Sequence, residues 1–200
     1  MKFLVASNNA GKVREMRALL QPSEVVSPAD LDLQLDVEET GTTFAANAEL
    51  KARAFCEATG LIALADDSGL VVDALDGAPG VFSARYGGPG LDDAGRYRLL
   101  LDHMQAFPAA AQRSARFCCT IVVVAPDGRS CRAEGTCEGH IARAASGDHG
   151  FGYDPIFFVP EHGCTMAELD ARVKNEISHR ARAMAALAPL LRQTFPELAS

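Results

Sequence analysis

The chain has 200 residues and a mass of 21.2 kDa, which suits one domain or one fold with two lobes. Its 19 Lys and Arg residues against 26 Asp and Glu residues give a formal net charge of −7, which argues against binding to polymeric nucleic acid or to an anionic membrane. Hydrophobic residues at 48% exclude disorder, and the lack of a long apolar run or a signal peptide predicts a cytoplasmic protein without a transmembrane helix.

The first predicted elements are a strand and a helix. The apolar run at residues 2–7 is typical of a buried strand, and a polar turn at 8–11 follows it. Apolar residues then recur at helical spacing over 13–20. Pro22 and Pro28 break this helical pattern.

The middle of the chain continues the alternation of helices and strands. A polar stretch at 36–41 leads to a second helix, for which Thr42 or Thr43 is the predicted N-cap. Residues 61–65 predict another buried strand, which ends at the polar run 66–69. The elements that follow are a strand at 71–72, a turn at 77–80, a helix containing Tyr97 and Met104, a strand at 116–125, a turn at 126–128, a returning strand at 129–139 and a strand at 157–159.

Two capping signals stand near the C-terminus. Thr165 and Glu168 have the spacing of a capping box for a short helix. Ser178 is predicted to cap the last helix, which Pro189 kinks or ends. Strands that alternate with helices, followed by an antiparallel ribbon, predict an α/β fold with a twisted mixed sheet, helices on its faces, and a cleft between two lobes.

A candidate phosphate-binding loop joins the first strand to the first helix and consists of Ser7, Asn8, Asn9, Ala10, Gly11 and Lys12. Backbone N–H groups and the helix dipole favour an anion at such a junction, and Lys12 adds a positive charge. The Walker A motif is excluded, because it requires Gly at the position of Ala6 and Ser or Thr at the position of Val13. An ordinary connection with a solvated lysine is the alternative.

Paired acidic residues occur twice. Asp66 and Asp67 follow a buried strand, at the kind of strand end where α/β sheets bind ligands, and Glu38 and Glu39 lie in a loop. Carboxylates near a phosphate suit Mg²⁺, which takes one or two protein carboxylates, waters and phosphate oxygens. A plain turn at 66–69 and a solvated loop at 38–39 are the alternatives.

Two further segments have residues suited to ligand binding. In Gly150–Asp154 the glycines on both sides of Phe151 leave its ring face open for stacking on a flat ligand, although a rigid turn is equally consistent. Lys174, His179 and Arg180 are placed near the start of the predicted last helix, where positive residues oppose the helix dipole unless an anionic or acceptor-rich ligand is present.

These motifs, in this order, resemble the inosine triphosphate pyrophosphatase family, whose members hydrolyse non-standard purine nucleoside triphosphates such as ITP, dITP and XTP. The resemblance covers essentially the whole chain and rests on ASNNAGKVRE at 6–15, residues 38–41 with Asn47 and Lys51, ADDSG at 65–69, GAPGVFSARYG at 77–87, GFGYDPIFF at 150–158 and KNEISHR at 174–180. One departure is Ser7-Asn8, where relatives often have Thr-Gly. The hydroxyl is kept, but Asn8 is less free than Gly at positive φ.

The resemblance implies a long mixed sheet forming two lobes with a central active-site cleft, one domain over residues 1–200, and a homodimer. It implies that Ser7–Lys12 holds the triphosphate, that Glu38 and Asp67 bind Mg²⁺, and that Asp67 is also the general base for the attacking water. Asp66 would support the metal or its waters. The residues implied on the nucleoside side are Ser68, Phe151 for stacking, Gly152, Tyr153 and Asp154 as the wall beside the base, and Lys174, His179 and Arg180 as readers of the base.

Attack of water at the α-phosphorus would release pyrophosphate and leave a nucleoside monophosphate. Donors on His179 or Arg180 that face a purine 6-keto oxygen would reject the amino group of adenine. Two other functions stay open: a related pyrophosphatase for modified pyrimidine or methylated nucleotides, and a nucleotide-binding sensor without catalysis. The Asp66-Asp67 pair and Lys12 count against the sensor, because binding alone needs no base.

Overall fold

The computed structural model describes residues 2–199, so the two end positions of the predicted 1–200 domain lie outside the described residues. The strands of the described chain are β1 (Lys2–Val5), β2 (Glu24–Val26), β3 (Ile62–Val72), β4 (Ser114–Val124), β5 (Ser130–Ile141), β6 (Phe157–Val159) and β7 (Cys164–Thr165). Its α-helices are α1 (Ala10–Leu19), α2 (Phe44–Thr59), α3 (Asp93–His103), α4 (Ala171–Ile177) and α5 (His179–Thr194).

The strands form one seven-stranded sheet in the order β2-β1-β3-β4-β5-β6-β7. β1 runs parallel to β2 and β3, and α1 and α2 make the crossover connections that parallel neighbours require. β6 pairs antiparallel with β5 and β7, so the sheet is mixed, as predicted. The predicted cleft and the single-domain organisation stay predictions. No helix of the described chain has both the length and the apolar character needed to cross a membrane.

Side-chain caps explain where the first two helices begin. The side chain of Asn9 accepts a hydrogen bond from the Lys12 backbone N–H at the start of α1. Thr43 does the same for Ala46 at the start of α2, which confirms the predicted N-cap. α2 ends at Thr59, and the C-cap residue Gly60 has φ of 68°, a left-handed conformation that glycine adopts at little cost.

β3 differs from the prediction, because the expected strands at 61–65 and 71–72 are parts of one strand of 11 residues. The run 66–69 is therefore extended strand, and the interpretation of it as a turn or strand end is wrong. β1 ends at Val5, opposite Leu64, and Asp66 and Asp67 continue past that end. They still lie beyond the carboxyl end of a parallel neighbour, which is where the sheet binds ligands in such folds.

The end of the chain also departs from the prediction. Ser178 precedes the last helix, as expected, but a separate helix, α4, comes directly before it. Lys174 therefore lies in the last turn of α4, where a positive charge is favourable, and not at the start of the last helix. Pro189 lies inside α5, which continues to Thr194. The Thr165 and Glu168 capping box is confirmed, around a three-residue 3-10 turn.

The described chain divides into two compact units. The first unit comprises residues 2–67, Cys119–Gly135 and residues 180–199, and the second comprises Ser68–Cys118 and Thr136–His179. The first contains two apolar clusters, one with Phe3, Met16 and Leu187 and the other with Leu4, Ala52 and Val122. The second contains a single cluster that includes Leu70, Leu100, Phe117, Ile156 and Phe157.

A buried arginine joins several segments of the second unit. Arg113 is 6% exposed, and its guanidinium donates to the carbonyl oxygens of Met104, Phe107, Ile141 and Ala142 at 2.7 to 3.0 Å. Burial lowers the pKa of Arg113, as does the nearby charge of Arg143. The carbonyl dipoles compensate a cation that has lost its water.

Arg113→Met is expected to lower the free energy of unfolding by about 2–3 kcal/mol, because it leaves buried carbonyl oxygens without a donor. Urea unfolding followed by circular dichroism measures this loss. Arg98→Met is the matched control, since Arg98 is exposed on α3, and a change within about 0.5 kcal/mol is expected there. Equal losses in both variants would contradict a stabilising role for Arg113.

Candidate active site

Two adjacent carboxylates of β3 form the centre of the candidate site. Asp66 is 1% exposed and Asp67 is 5% exposed. Successive side chains of a strand point to opposite faces, so the two carboxylates have different neighbours. Asp66 meets residues of α1 and α5, and Asp67 meets residues of α2.

Asp66 is surrounded by cations. The Nη2 and Nε atoms of Arg180 donate to Asp66 Oδ2 at 2.9 and 3.2 Å, and Lys12 Nζ lies 3.2 Å from the same oxygen. Arg180 is 1% exposed, and its Nη1 atom donates to the carboxylate of Glu15, which is 7% exposed. Arg180 is therefore held between two buried carboxylates.

These contacts decide the ionisation of Asp66. Burial by itself raises the pKa of Asp66, but the charges of Lys12 and Arg180 outweigh it and hold the pKa well below the usual range. The pKa of Arg180 is raised, because Asp66 and Glu15 more than offset its burial. Asp66 is thus an anion at neutral pH, whereas the nearby thiol of Cys119 has its pKa raised by burial and by the charge of Asp66.

Asp67 has a different environment. Lys51 Nζ donates to Asp67 Oδ1 at 2.8 Å and to Glu39 Oε1 at 2.7 Å. Asn47 Nδ2 donates to Asp67 Oδ2 at 3.3 Å, and the Asn47 Oδ1 atom accepts from the Gly41 N–H. Burial raises the pKa of Asp67, and the charge of Lys51 offsets this only in part. Asp67 is therefore oriented by two donors and has an increased proton affinity.

The predicted phosphate loop lies at the same end of the sheet, and the Lys12–Asp66 ion pair connects the two. Ser7 Oγ accepts from the Asn9 N–H at 3.2 Å, and Asn8 Nδ2 donates to the Leu35 carbonyl oxygen at 3.2 Å. Within the described chain, positive φ at residues other than glycine occurs at Asp32 and Asp76, so Asn8 occupies its place in the loop without the strain of a positive φ.

The second unit contains the predicted aromatic loop. Asp154 is 3% exposed and accepts from the Phe151 N–H at 2.8 Å and from Lys174 Nζ at 2.5 Å. Lys174 Nζ also lies 5.0 Å from the centre of the Phe151 ring. Gly150 has φ of 79°, and a Cβ there would clash with Asp154 Oδ2, so the loop requires glycine.

Four more predicted site residues lie in the second unit. The hydroxyl of Tyr153 donates to the Ser83 carbonyl oxygen at 2.9 Å, and burial raises the pKa of Tyr153. The N–H of Gly152 donates to Asp93 Oδ2 at 2.9 Å. The imidazole of His179 stacks on the ring of Phe117. Ser68 follows Asp67 in β3, half-buried.

The structure gives Arg180 a different position from the predicted one. All three guanidinium nitrogens are engaged by Asp66 and Glu15 within the first unit, so the side chain is committed to an ion cluster. Glu38 is exposed, whereas its neighbour Glu39 shares Lys51 with Asp67. The metal-binding role of Glu38 stays a prediction.

Three residues beside the carboxylates received no role from the sequence: Glu15, Asn47 and Lys51. Helical spacing could have indicated all three. Lys12 and Glu15 are three residues apart on α1, and Asn47 and Lys51 are four apart on α2, so each pair lies on one helix face. Among residues 2–199, no group of three or more His, Cys, Asp or Glu side chains is arranged to hold a metal.

The mixed sheet, the carboxylates of β3 and the helix-start loop connected to them by Lys12 define an α/β protein with a buried acid–base site. The chain belongs to the Ham1 family, whose sequence profile matches residues 3–190. This confirms the resemblance expected from the motifs.

Individual relatives match over nearly the whole chain. A dITP/XTP pyrophosphatase of Desulforamulus reducens is 49% identical over 197 residues, which is 98% of this chain and 98% of that protein. A dITP/XTP pyrophosphatase of Xanthomonas oryzae is 50% identical over 192 residues, which is 94% of this chain and 96% of that protein. The structure of a HAM1 protein from Coxiella burnetii is 43% identical, with a TM-score of 0.85 over 96% of this chain and 99% of that one.

Asp66→Asn is expected to flatten the pH dependence of stability at acid pH. Because the folded-state pKa of Asp66 lies below its unfolded value of about 3.9, the ionised carboxylate stabilises the fold above about pH 4. This contribution, on the order of 2 kcal/mol, is lost as the pH falls toward the folded-state pKa.

Urea unfolding between pH 2.5 and 7, in the presence of a chelator, measures the difference between wild type and variant. Asp36→Asn is the control, since Asp36 is exposed in a loop. A constant difference between wild type and Asp66→Asn across this range would contradict the assignment of Asp66 as a stabilising anion.

Proposed function

We propose that this protein hydrolyses the non-standard purine nucleoside triphosphates ITP, dITP and XTP to nucleoside monophosphate and pyrophosphate, which prevents their incorporation into DNA and RNA. The observation that carries the proposal is Asp67, a buried carboxylate with a raised pKa, oriented by Lys51 and Asn47. The names of relatives that are 49% and 50% identical over nearly the whole chain support the same substrates.

Asp67 acts as the general base. A carboxylate with increased proton affinity accepts a proton from water more readily than an ordinary exposed Asp does. Lys51 and Asn47 each occupy one oxygen of the carboxylate and thereby fix its plane. The water that loses its proton attacks the α-phosphorus, the bond to the bridging oxygen of the β-phosphate breaks, and pyrophosphate leaves.

The loop Ser7–Lys12 holds the triphosphate. Its backbone N–H groups stand at the start of the ten-residue helix α1, where the helix dipole favours an anion. Lys12 supplies a positive charge, and its ion pair with Asp66 keeps the ammonium group beside the carboxylates. Asp66 remains ionised and therefore orients Lys12 and Arg180 without taking up a proton.

The donor chemistry fits Mg²⁺. Asp67 and the acidic pair Glu38 and Glu39 offer hard carboxylate oxygens, and Mg²⁺ takes its remaining ligands from water and phosphate. When bound, Mg²⁺ neutralises charge on the phosphates. The ammonium group of Lys51 pairs with both Asp67 and Glu39, so these two carboxylates lie close together without a metal.

The base is recognised by the aromatic loop and by the residues that follow it. Phe151 stacks on the purine, in a loop held by the contacts of Asp154, Lys174 and Gly152. His179 donates to the 6-keto oxygen, an interaction that the 6-amino group of adenine cannot make. The guanidinium of Arg180 is held by Asp66 and Glu15, so Arg180 supports this selection only through the adjacent residue His179.

The same proposal includes the setting of the enzyme. It acts on a free nucleotide, without a nucleic-acid polymer or a membrane as partner, which suits a net charge of −7. The proposed enzyme is a homodimer and acts in the cytoplasm, where nucleoside triphosphates are made and used.

Asp67→Asn is expected to lower pyrophosphate release from ITP by about 10²–10⁴-fold, because an amide cannot accept the proton of water. Circular dichroism and the melting temperature check that the fold persists. Asp76→Asn is the matched control, since Asp76 is exposed and Asn tolerates its φ of 51°. Unchanged turnover in Asp67→Asn would remove Asp67 from the mechanism.

A panel of nucleotides tests the substrate class. Pyrophosphate release is expected to be much faster with ITP, dITP and XTP than with ATP or GTP, and to stop when a chelator removes Mg²⁺. Modified pyrimidine and methylated purine triphosphates complete the panel. Equal turnover of ATP and ITP would contradict the proposed selectivity, and faster turnover of a pyrimidine would assign a different substrate class.

A further inference from the structure

A stacked pair of rings supports His179 from within the second unit. The centres of the Phe117 and His179 rings are 4.8 Å apart, and the ring planes differ by 19°. Both side chains are 6% exposed. The proposed function uses His179 to read the base but leaves Phe117 without a role beyond the apolar cluster to which it belongs.

Phe117 is itself held firmly. Its ring lies 4.4 Å from that of Phe157, at an angle of 40°. Phe117 belongs to β4 and Phe157 to β6, so two strands of one sheet fix the position of the ring under His179. His179 is the first residue of α5 and has two side-chain torsions that the helix backbone leaves adjustable.

The stack restricts those torsions in a way that matters for hydrogen bonding. Both nitrogens of an imidazole lie in the ring plane, and their N–H and lone-pair directions lie in that plane as well. Parallel stacking on Phe117 therefore sets the plane in which His179 can donate. Hydrogen bonds weaken steeply when the donor angle falls below about 120°, so a tilted ring would lose the contact.

We infer that Phe117 is a positioning residue for base selection: its ring holds the imidazole of His179 in the plane from which it donates to the 6-keto oxygen. The inference rests on the proposed function, because it needs His179 as the reader of the base. Phe117 does not contact the reacting phosphate in this proposal, so its effect falls on recognition of the base.

The test replaces Phe117 by Leu, which keeps an apolar side chain but removes the ring, and by Tyr, which keeps the ring. Leu100→Ala is the matched control, since Leu100 is 0% exposed in the same apolar cluster but carries no aromatic ring. Phe117→Met is a further variant that fills the core if Leu leaves the protein too unstable to assay. His179→Ala measures how much selectivity depends on the imidazole.

The first readout is the ratio of kcat/KM for ITP to that for ATP. Phe117→Leu is expected to lower this ratio by about 3- to 10-fold, the change that an aromatic pair of ordinary strength produces, through a higher KM for ITP. Phe117→Tyr and Leu100→Ala are expected to keep the wild-type ratio. A merely structural role would reduce the melting temperatures of Phe117→Leu and Leu100→Ala and leave both ratios unchanged.

The second readout is independent of activity. The chain has 5 His residues, so the ring protons of His179 can be assigned by NMR through comparison with His179→Ala. Stacking on Phe117 shifts these signals upfield, and Phe117→Leu is expected to return them toward the positions of an unstacked imidazole. Signals at unstacked positions in the wild type would overturn the inference.

The remaining outcomes separate the inference from the proposed function. If Phe117→Leu loses the stacked signals but keeps the ITP to ATP ratio, while His179→Ala loses that ratio, the inference alone is overturned. If the wild type does not prefer ITP to ATP, the proposed function is overturned and the inference with it.

Discussion

The guanidinium of Arg180 lies between the carboxylates of Asp66 and Glu15, and all three side chains are almost fully buried. Breaking such a cluster by removing one member costs about 3–5 kcal/mol, because a buried charge is left without compensation. The cluster joins β3, α1 and α5, and Lys12 adds the phosphate loop to it. The geometry of the candidate site in the first unit therefore depends on this ion cluster.

The alternation of side chains along β3 gives its two neighbouring carboxylates opposite properties. Asp66 faces Lys12 and Arg180, so its pKa is lowered and it stays an anion. Asp67 pairs with Lys51, but burial outweighs that charge and raises its pKa. One strand thus carries a fixed anion that orders its surroundings and a second carboxylate suited to accept a proton.

The sequence signals that succeeded were local. The cap at Thr43, the Thr165 and Glu168 box, the strand at 157–159 and Ser178 before the last helix each depend on a few adjacent residues. β2 and β7 were missed, since these strands of three and two residues show neither an alternation nor a fully apolar run such as the one in β6. Only hydrogen bonding to their neighbours in the sheet defines them.

For the candidate site too, the sequence showed some features and the structure alone showed others. Its residue types were evident from the motifs, including Lys12, Asp66, Asp67 and the aromatic loop at 150–154. The sequence did not show that Arg180 pairs with Asp66, 114 residues away, and with Glu15, 165 residues away. Arg180 was instead predicted to read the base. The ion pairs of Lys174 with Asp154 and of Glu39 with Lys51 were likewise not evident from the sequence.

The sequence by itself determined the family, the mixed α/β class, and the segments that contribute to the site, because caps, short motifs and their order are properties of adjacent residues. The tertiary structure decided that β3 is continuous through Asp66 and Asp67, that Arg180 is an internal cation, and that His179 stacks on Phe117. The physical reason is that the charge and orientation of a buried group depend on which distant side chains surround it, and only folding brings those side chains into contact.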